Sequence, residues 1–154
     1  MTVVYSNRPS ATAFLKTVLL ASTVTLSAVG VLVNLWRFLG IEVNGVGMGG
    51  GYLAAIFSAG VIAPLLETAL MAAMISFFKQ LSSNNALVIT TTALLWAFMH
   101  GVFDIYWGIN TFFGFVVFCA VYLKFIAFGF WWAFAAASLN HAIHNTVIVT
   151  LAYI

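Results

Sequence analysis

Charge is what this sequence has least of. Five Lys or Arg and three Asp or Glu amount to 5% of the residues, against about 25% in an ordinary soluble domain. So few charges cannot clothe a water-facing surface, which excludes a soluble globular domain. Clusters of Lys or Arg that would neutralise phosphates are missing too, so nucleic acid is excluded as a partner. Cysteine occurs once, at Cys119, which excludes an intramolecular disulfide and a cysteine-based zinc cluster. In its apolar surroundings Cys119 is expected to be a small core filler. No repeat recurs at a fixed period, and this speaks against a transporter built from inverted halves. The Walker lysine, a GxGxxG after a strand and the H-E-x-x-H of ordinary zinc proteases are all absent.

What remains is apolar. With 64% hydrophobic residues and a mean hydropathy of +1.14, the chain reads as one integral membrane domain over residues 1–154, an all-α polytopic bundle. About five stretches are long enough to approach the ~30 Å hydrocarbon core: residues 11–33, 53–78, 86–105, 111–125 and 128–154. The first is too long for a secretory h-region and is followed by others, so it is expected to be retained. The connection 34–51 holds Trp36 and Arg37, suited to an interface, and ends in Gly45, Gly47, Gly49, Gly50 and Gly51. It is expected to be a flexible linker. Residues 1–52 thus form the first span and its glycine-rich connection, and 53–154 the remaining core. Arg8, Lys16, Lys79 and Lys124 fall on one side and Arg37 alone on the other, which places the N-terminus in the cytoplasm.

Against this background the polar residues inside the spans stand out. Glu67 lies near the centre of residues 53–78, three residues after Pro64. A carboxylate at that depth costs ~3 kcal/mol on insertion scales, so it needs partners or water. A proline at this point removes a backbone donor and kinks the helix. The available partners are His100, Asp104, Asn140, His141, His144 and Asn145. Trp96, His100 and Asp104 recur at i, i+4 and i+8 on one helical face, as do His141 and Asn145 at i and i+4. His141 is central in its span, and His100 lies ~7 Å beyond the centre of its own. Glu67, His100 and His141 can therefore meet in one layer. Asp104 is expected at the interface at the end of its span. His144 and Asn140 are expected to be hydrogen-bonded bystanders.

Two His and a Glu can hold zinc and leave a position open for water. They can equally work without metal, with Glu67 as general base and His and Asn stabilising an oxyanion. Either version is hydrolysis inside a membrane. Each of these residues also has a plain packing alternative, and an intramembrane Glu and His can serve a proton or ion pathway. The span 111–125, however, supplies no titratable link before Lys124.

The order Glu, then an aromatic motif ending in His, then a spacer span, then His-x-x-x-Asn resembles the CPBP family of intramembrane proteases, also called the CAAX prenyl-protease type 2 or abortive-infection family. Its motifs are E-E-x-x-x-R, F-x-x-x-H and H-x-x-x-N. Here they correspond to Glu67-Thr68-Ala69-Leu70-Met71-Ala72, to Trp96-Ala97-Phe98-Met99-His100 and to His141-Ala142-Ile143-His144-Asn145. The resemblance covers residues 53–154 and implies a four-helix core, a bacterial inner-membrane location and a membrane-associated protein or peptide substrate. It gives catalytic roles to Glu67, His100, His141 and Asn145, with Glu67, His100 and His141 as the ligand set of any divalent metal. Thr68 and Ala72 depart from the motif, because they remove the second Glu and the Arg. The competing expectation from these departures is a non-catalytic relative: an immunity factor or an accessory subunit of a membrane complex.

Overall fold

The structure, a computed structural model, describes residues 8–42 and 51–153. Most of the expected glycine linker, Gly45 to Gly50, lies outside the described residues. Helices account for nearly all of the rest, and there is no strand among the described residues. Helix α1 spans Ala11–Phe38 and α2 spans Gly51–Phe57. A π-helical turn, Ser58–Ile62, joins α2 directly to α3 at Ala63–Leu81. Then follow α4 (Asn85–Gly101), α5 (Ile105–Phe125), a 3₁₀ turn (Ile126–Phe128) and α6 (Phe130–Tyr153).

Among the described residues, three segments are long and apolar enough to cross a membrane: Ala11–Phe38, Gly51–Leu81 and Ile105–Phe128. Helix α4 has 17 residues, ~25 Å at the helical rise. Helix α6 has 24 residues, but Ser138, Asn140, His141, His144 and Asn145 interrupt its apolar run. The bundle exterior is oily, with Leu20, Leu66, Phe98 and Trp131 more than half exposed. A soluble monomer rarely shows apolar surface on this scale.

Local chemistry sets the boundaries, and several differ from the sequence expectation. Helix α1 continues through residues expected in the linker. Asn34 donates from Nδ2 to the Gly30 carbonyl at 2.8 Å, and the Trp36 indole donates to Asn110 Oδ1 at 3.1 Å. Trp36 therefore ties α1 to α5 instead of marking a free interface. The break after α4 falls earlier than expected, at Gly101, because Asp104 caps a new helix. Its carboxylate accepts from the Tyr106 and Trp107 amides at 2.8 and 3.0 Å, the standard answer to unsatisfied donors at a helix start. Asp104 is thus beyond the helix that carries Trp96 and His100, and the three do not share a helical face. Gly129 permits the corner into α6, at φ 115°, where a side chain would be strained.

The core runs along the inner faces of α3 to α6, with Met71, Trp96, Phe118, Cys119 and Ala137 buried. Cys119 packs there as the small filler expected. Between α4 and α5 the backbones themselves touch: a Cβ built on Gly108 would stand 2.6 Å from the Ala97 carbonyl oxygen. Helix α1 joins the same core through Phe14, Val18 and Ala21, and polar contacts also hold it. Asn140 donates to Ser22 Oγ at 2.7 Å, and Lys124 to Thr17 Oγ1 at 3.0 Å. The Asn140 amide nitrogen is satisfied as expected, but its Oδ1 has no partner among the described residues.

Candidate functional site

The site begins with a defect in a helix. Pro64 has no N–H, so the carbonyls one turn earlier lose a donor. The chain responds by widening to a π turn, in which the Ala63 amide reaches back to the Ser58 carbonyl. Such single wide turns recur at functional positions. The Ala59 carbonyl accepts a hydrogen bond from Asn145 Nδ2 on α6 at 2.9 Å. Gly60 lets α6 approach closely, since a Cβ there would lie 2.7 Å from Thr146 Oγ1. The proline-associated distortion expected from the sequence is therefore present, in the form of a π turn, and α6 clamps it.

One helical turn past Pro64, Glu67 faces α6. Its Oε2 stands 3.7 Å from Nε2 of His141, within ion-pair reach but too far for a direct hydrogen bond. The Glu67 side chain keeps 24% of its surface exposed, and that of His141 only 4%. The His141 ring stacks on Phe118, centroids 4.3 Å apart, and meets the edge of Phe115 at 5.4 Å. These aromatics hold the imidazole at one angle while leaving its nitrogens free. Nδ1 of His141 is buried and has no hydrogen-bond partner among the described residues.

His100 belongs to the same neighbourhood but does not touch Glu67. Its Nδ1 lies 2.9 Å from the Trp96 carbonyl. A carbonyl only accepts, so Nδ1 carries the proton, and in the neutral ring Nε2 is left as an acceptor. Trp107 packs edge-on to His100 at 4.7 Å. Phe115 stands between the two imidazoles, 6.4 Å from His100 and 5.4 Å from His141.

Of the four residues singled out by sequence, the fold brings Glu67 and His141 together. It sets His100 one aromatic ring away and uses the Asn145 amide as a backbone clamp. No group of three His, Cys, Asp or Glu side chains among the described residues has the spacing to hold a metal ion. Glu67, His100 and His141 in this arrangement do not fit a zinc site, which needs ligands at about 2 Å from one point. The positions that depart from the motif are absorbed into packing: Thr68 and Ala72 are 1% and 3% exposed. An arginine in place of Ala72 would have to be buried in the apolar core.

Two features were not foreseen. Phe115 and Phe118 form the shelf for the imidazoles, although the spacing of Phe115, Phe118, Tyr122 and Phe125 is itself a helical stripe. His144 is also not the satisfied bystander expected. Its Nδ1 is buried without a partner among the described residues, and its ring lies edge-on to Phe118 at 5.9 Å. An apolar groove of about 500 Å³ between α4 and α5, lined by Phe98, Val102, Ile105 and Phe112 among others, contains none of the polar residues described here.

The clamp makes a specific expectation. Asn145→Leu keeps the side-chain volume but leaves the Ala59 carbonyl without its donor, a loss of about 1–3 kcal/mol. Amide hydrogen exchange should speed up over residues 56–63 while α5 stays protected. Unchanged exchange there would mean that Asn145 does not hold the turn.

Comparison with known protein families, with curated proteins and with solved structures yields no match.

Proposed function

We propose that this chain is an intramembrane peptide hydrolase of the CPBP type, with five helical passes and its N-terminus in the cytoplasm of a bacterial cell. The observation that carries the proposal is the approach of the Glu67 carboxylate to the His141 imidazole, 3.7 Å apart across two helices. Two polar groups that are each costly in lipid are aimed at one another, beside a helix distortion that is itself clamped.

In the proposed reaction Glu67 takes a proton from water, and the water oxygen bonds to the peptide carbonyl carbon. His141 Nε2, and His100 from beyond Phe115, stabilise the charge that develops on the carbonyl oxygen. The C–N bond then breaks, and Glu67 returns its proton to the departing amine. Asn145 acts by holding the π turn that orients Glu67. No step passes through a metal.

The decisive assay is cleavage of a membrane-embedded reporter peptide. Glu67→Ala, His100→Ala and His141→Ala are each expected to abolish cleavage while the protein remains inserted. Retained cleavage by the Glu67 variant would remove the hydrolase reading.

The burial of Thr68 and Ala72, and the commitment of the Asn145 amide to Ala59, favour a second reading: a non-catalytic relative serving as an immunity factor or as a subunit of a membrane complex. That reading expects co-purification with a membrane partner whatever stands at position 67.

A further inference from the structure

We infer that α2 is a strap: a short lever that swings off α6 about the π turn and is latched shut by the Tyr52 hydroxyl. Residues 51–81 form one apolar helical run, but breaks set α2 apart within it. The π turn Ser58–Ile62 follows α2 directly, with Pro64 just beyond. At the other end Gly51, at φ 80°, turns the chain. Sharp bends in long helices fall at wide turns and prolines of this kind. Between the breaks α2 has only 7 residues, and isolated helices shorter than about 12–15 residues are marginal in water. Its place and its helicity therefore depend on what it touches.

Pivot and lever are held in different ways. At the pivot Asn145 donates to the Ala59 carbonyl at 2.9 Å, and Gly60 lies so near α6 that a Cβ there would stand 2.7 Å from Thr146 Oγ1. The lever has no such grip. Among the described residues it packs on α6 alone, apart from the adjoining π turn. Ala55 is its one buried residue. With Ala59 and Val149, and Ile56 at the edge, Ala55 forms a small cluster separate from the main core. Leu53 and Phe57 point away, both more than half exposed. Segments with few buried apolar contacts are the ones that open locally while the rest of a fold stays closed.

One hydrogen bond closes the lever at its free end. Tyr52 Oη and Thr150 Oγ1 are 3.2 Å apart. Thr150 gives its hydroxyl proton to the Thr146 carbonyl at 2.8 Å, so Tyr52 is the donor. The Tyr52 ring also meets Tyr153 edge-on, centroids 5.6 Å apart. These contacts lie at the end of α2 farthest from the pivot, where one bond has the greatest hold on rotation. With the latch released, the lever uncovers Val149 while the Asn145 bond keeps the pivot in place. Glu67 and His141 lie beyond the pivot and are not part of the strap. If the hydrolase proposal holds, the swing widens the approach to that pair from the end of the bundle opposite Lys79 and Lys124. The strap itself does not rest on that proposal.

Two measurements on the full chain in detergent test the strap, and neither needs a substrate. In the first, Val149→Cys places a thiol under the lever, and the native Cys119, buried in the main core, is the reference within the same molecule. Both are followed by the rate of N-ethylmaleimide labelling. The introduced thiol is expected to react well before Cys119, which waits for the whole bundle to open. Tyr52→Phe in the same chain removes the latch proton and keeps the ring. It should speed labelling of the introduced thiol about 2–10-fold, the span one hydrogen bond commands, and leave Cys119 unchanged. The second measurement keeps Val149 and follows amide hydrogen exchange. A helix this short loses its own hydrogen bonds once off α6, so Tyr52→Phe should speed exchange over residues 53–58 and not over 64–75. An introduced thiol as slow as Cys119, acceleration of both thiols together, or labelling and exchange indifferent to Tyr52→Phe overturns the proposal.

Discussion

Gly108→Val is expected to leave no stable folded protein. A side chain at this position would meet the Ala97 carbonyl oxygen at 2.6 Å, the Gly101 Cα at 2.7 Å and the Gly101 nitrogen at 2.9 Å. All three are backbone atoms and cannot rotate away, so α4 and α5 would have to part. Overpacking a core typically costs 1–3 kcal/mol, and here the strain falls on the closest helix pair. Small residues at such contacts are what bring membrane helices together. Parting the helices would also pull His100 from Trp107, now 4.7 Å apart, and so disturb the site. The measurement is the monodisperse yield in detergent together with the thermal unfolding midpoint. Gly30→Ala and Gly114→Ala are the controls. A Cβ at Gly30 would meet nothing within 4 Å, and one at Gly114 would touch the Phe118 ring at an ordinary 3.5 Å. Both variants should behave as the parent chain. A parent-like midpoint for Gly108→Val would show that the two helices are not packed as described.

Glu67→Gln is expected to move stability and activity in opposite directions. Glutamine matches glutamate in size and can still face His141, but it cannot take a proton from water. Loss of a positioned general base typically lowers rate by about 10²–10⁴-fold. A neutral amide is also cheaper to hold in lipid than a carboxylate, so the unfolding midpoint should stay level or rise. The two readouts together separate a chemical role from a structural one. A residue needed only to support the bundle would show the reverse, with a lower midpoint and cleavage retained in proportion to folded protein.

Much of this architecture was legible in the amino-acid order. Low charge and long apolar runs gave the helical class and the approximate places of the helices. The depth of Glu67 and His141 in their apolar runs anticipated that they would face one another. Pro64 announced a distortion, though not that it would be a π turn. Other features depended on partners far along the chain. The extension of α1 to Phe38 relies on Trp36 reaching Asn110, a contact no local pattern signals. Asp104 was read with the helix before it, when its carboxylate belongs to the start of the one after. Asn145 sits at the spacing expected of a catalytic partner, yet its amide is spent on the Ala59 carbonyl. That bond exists only because a proline on another helix freed the acceptor. The aromatic shelf under His141 was hidden for a different reason: in an apolar helix, phenylalanine toward lipid and phenylalanine toward the core look the same.

The composition of α6 bears on how the protein is made. It carries Ser138, Asn140, His141, His144 and Asn145, and emerges from the ribosome after the segments of α1, α3 and α5, which are long and apolar enough to cross a membrane. Alone it is a poor candidate for release into bilayer, yet it lies against α1, α3 and α5 in the finished molecule. Its side chains find their complements on earlier segments: Ser22 of α1 for Asn140, the Ala59 carbonyl of the π turn for Asn145, Tyr52 of α2 for Thr150. Biogenesis would then proceed in two acts, with the earlier segments forming a cleft that admits a late, half-polar helix, and the chemistry of the interior assembled only when that helix docks.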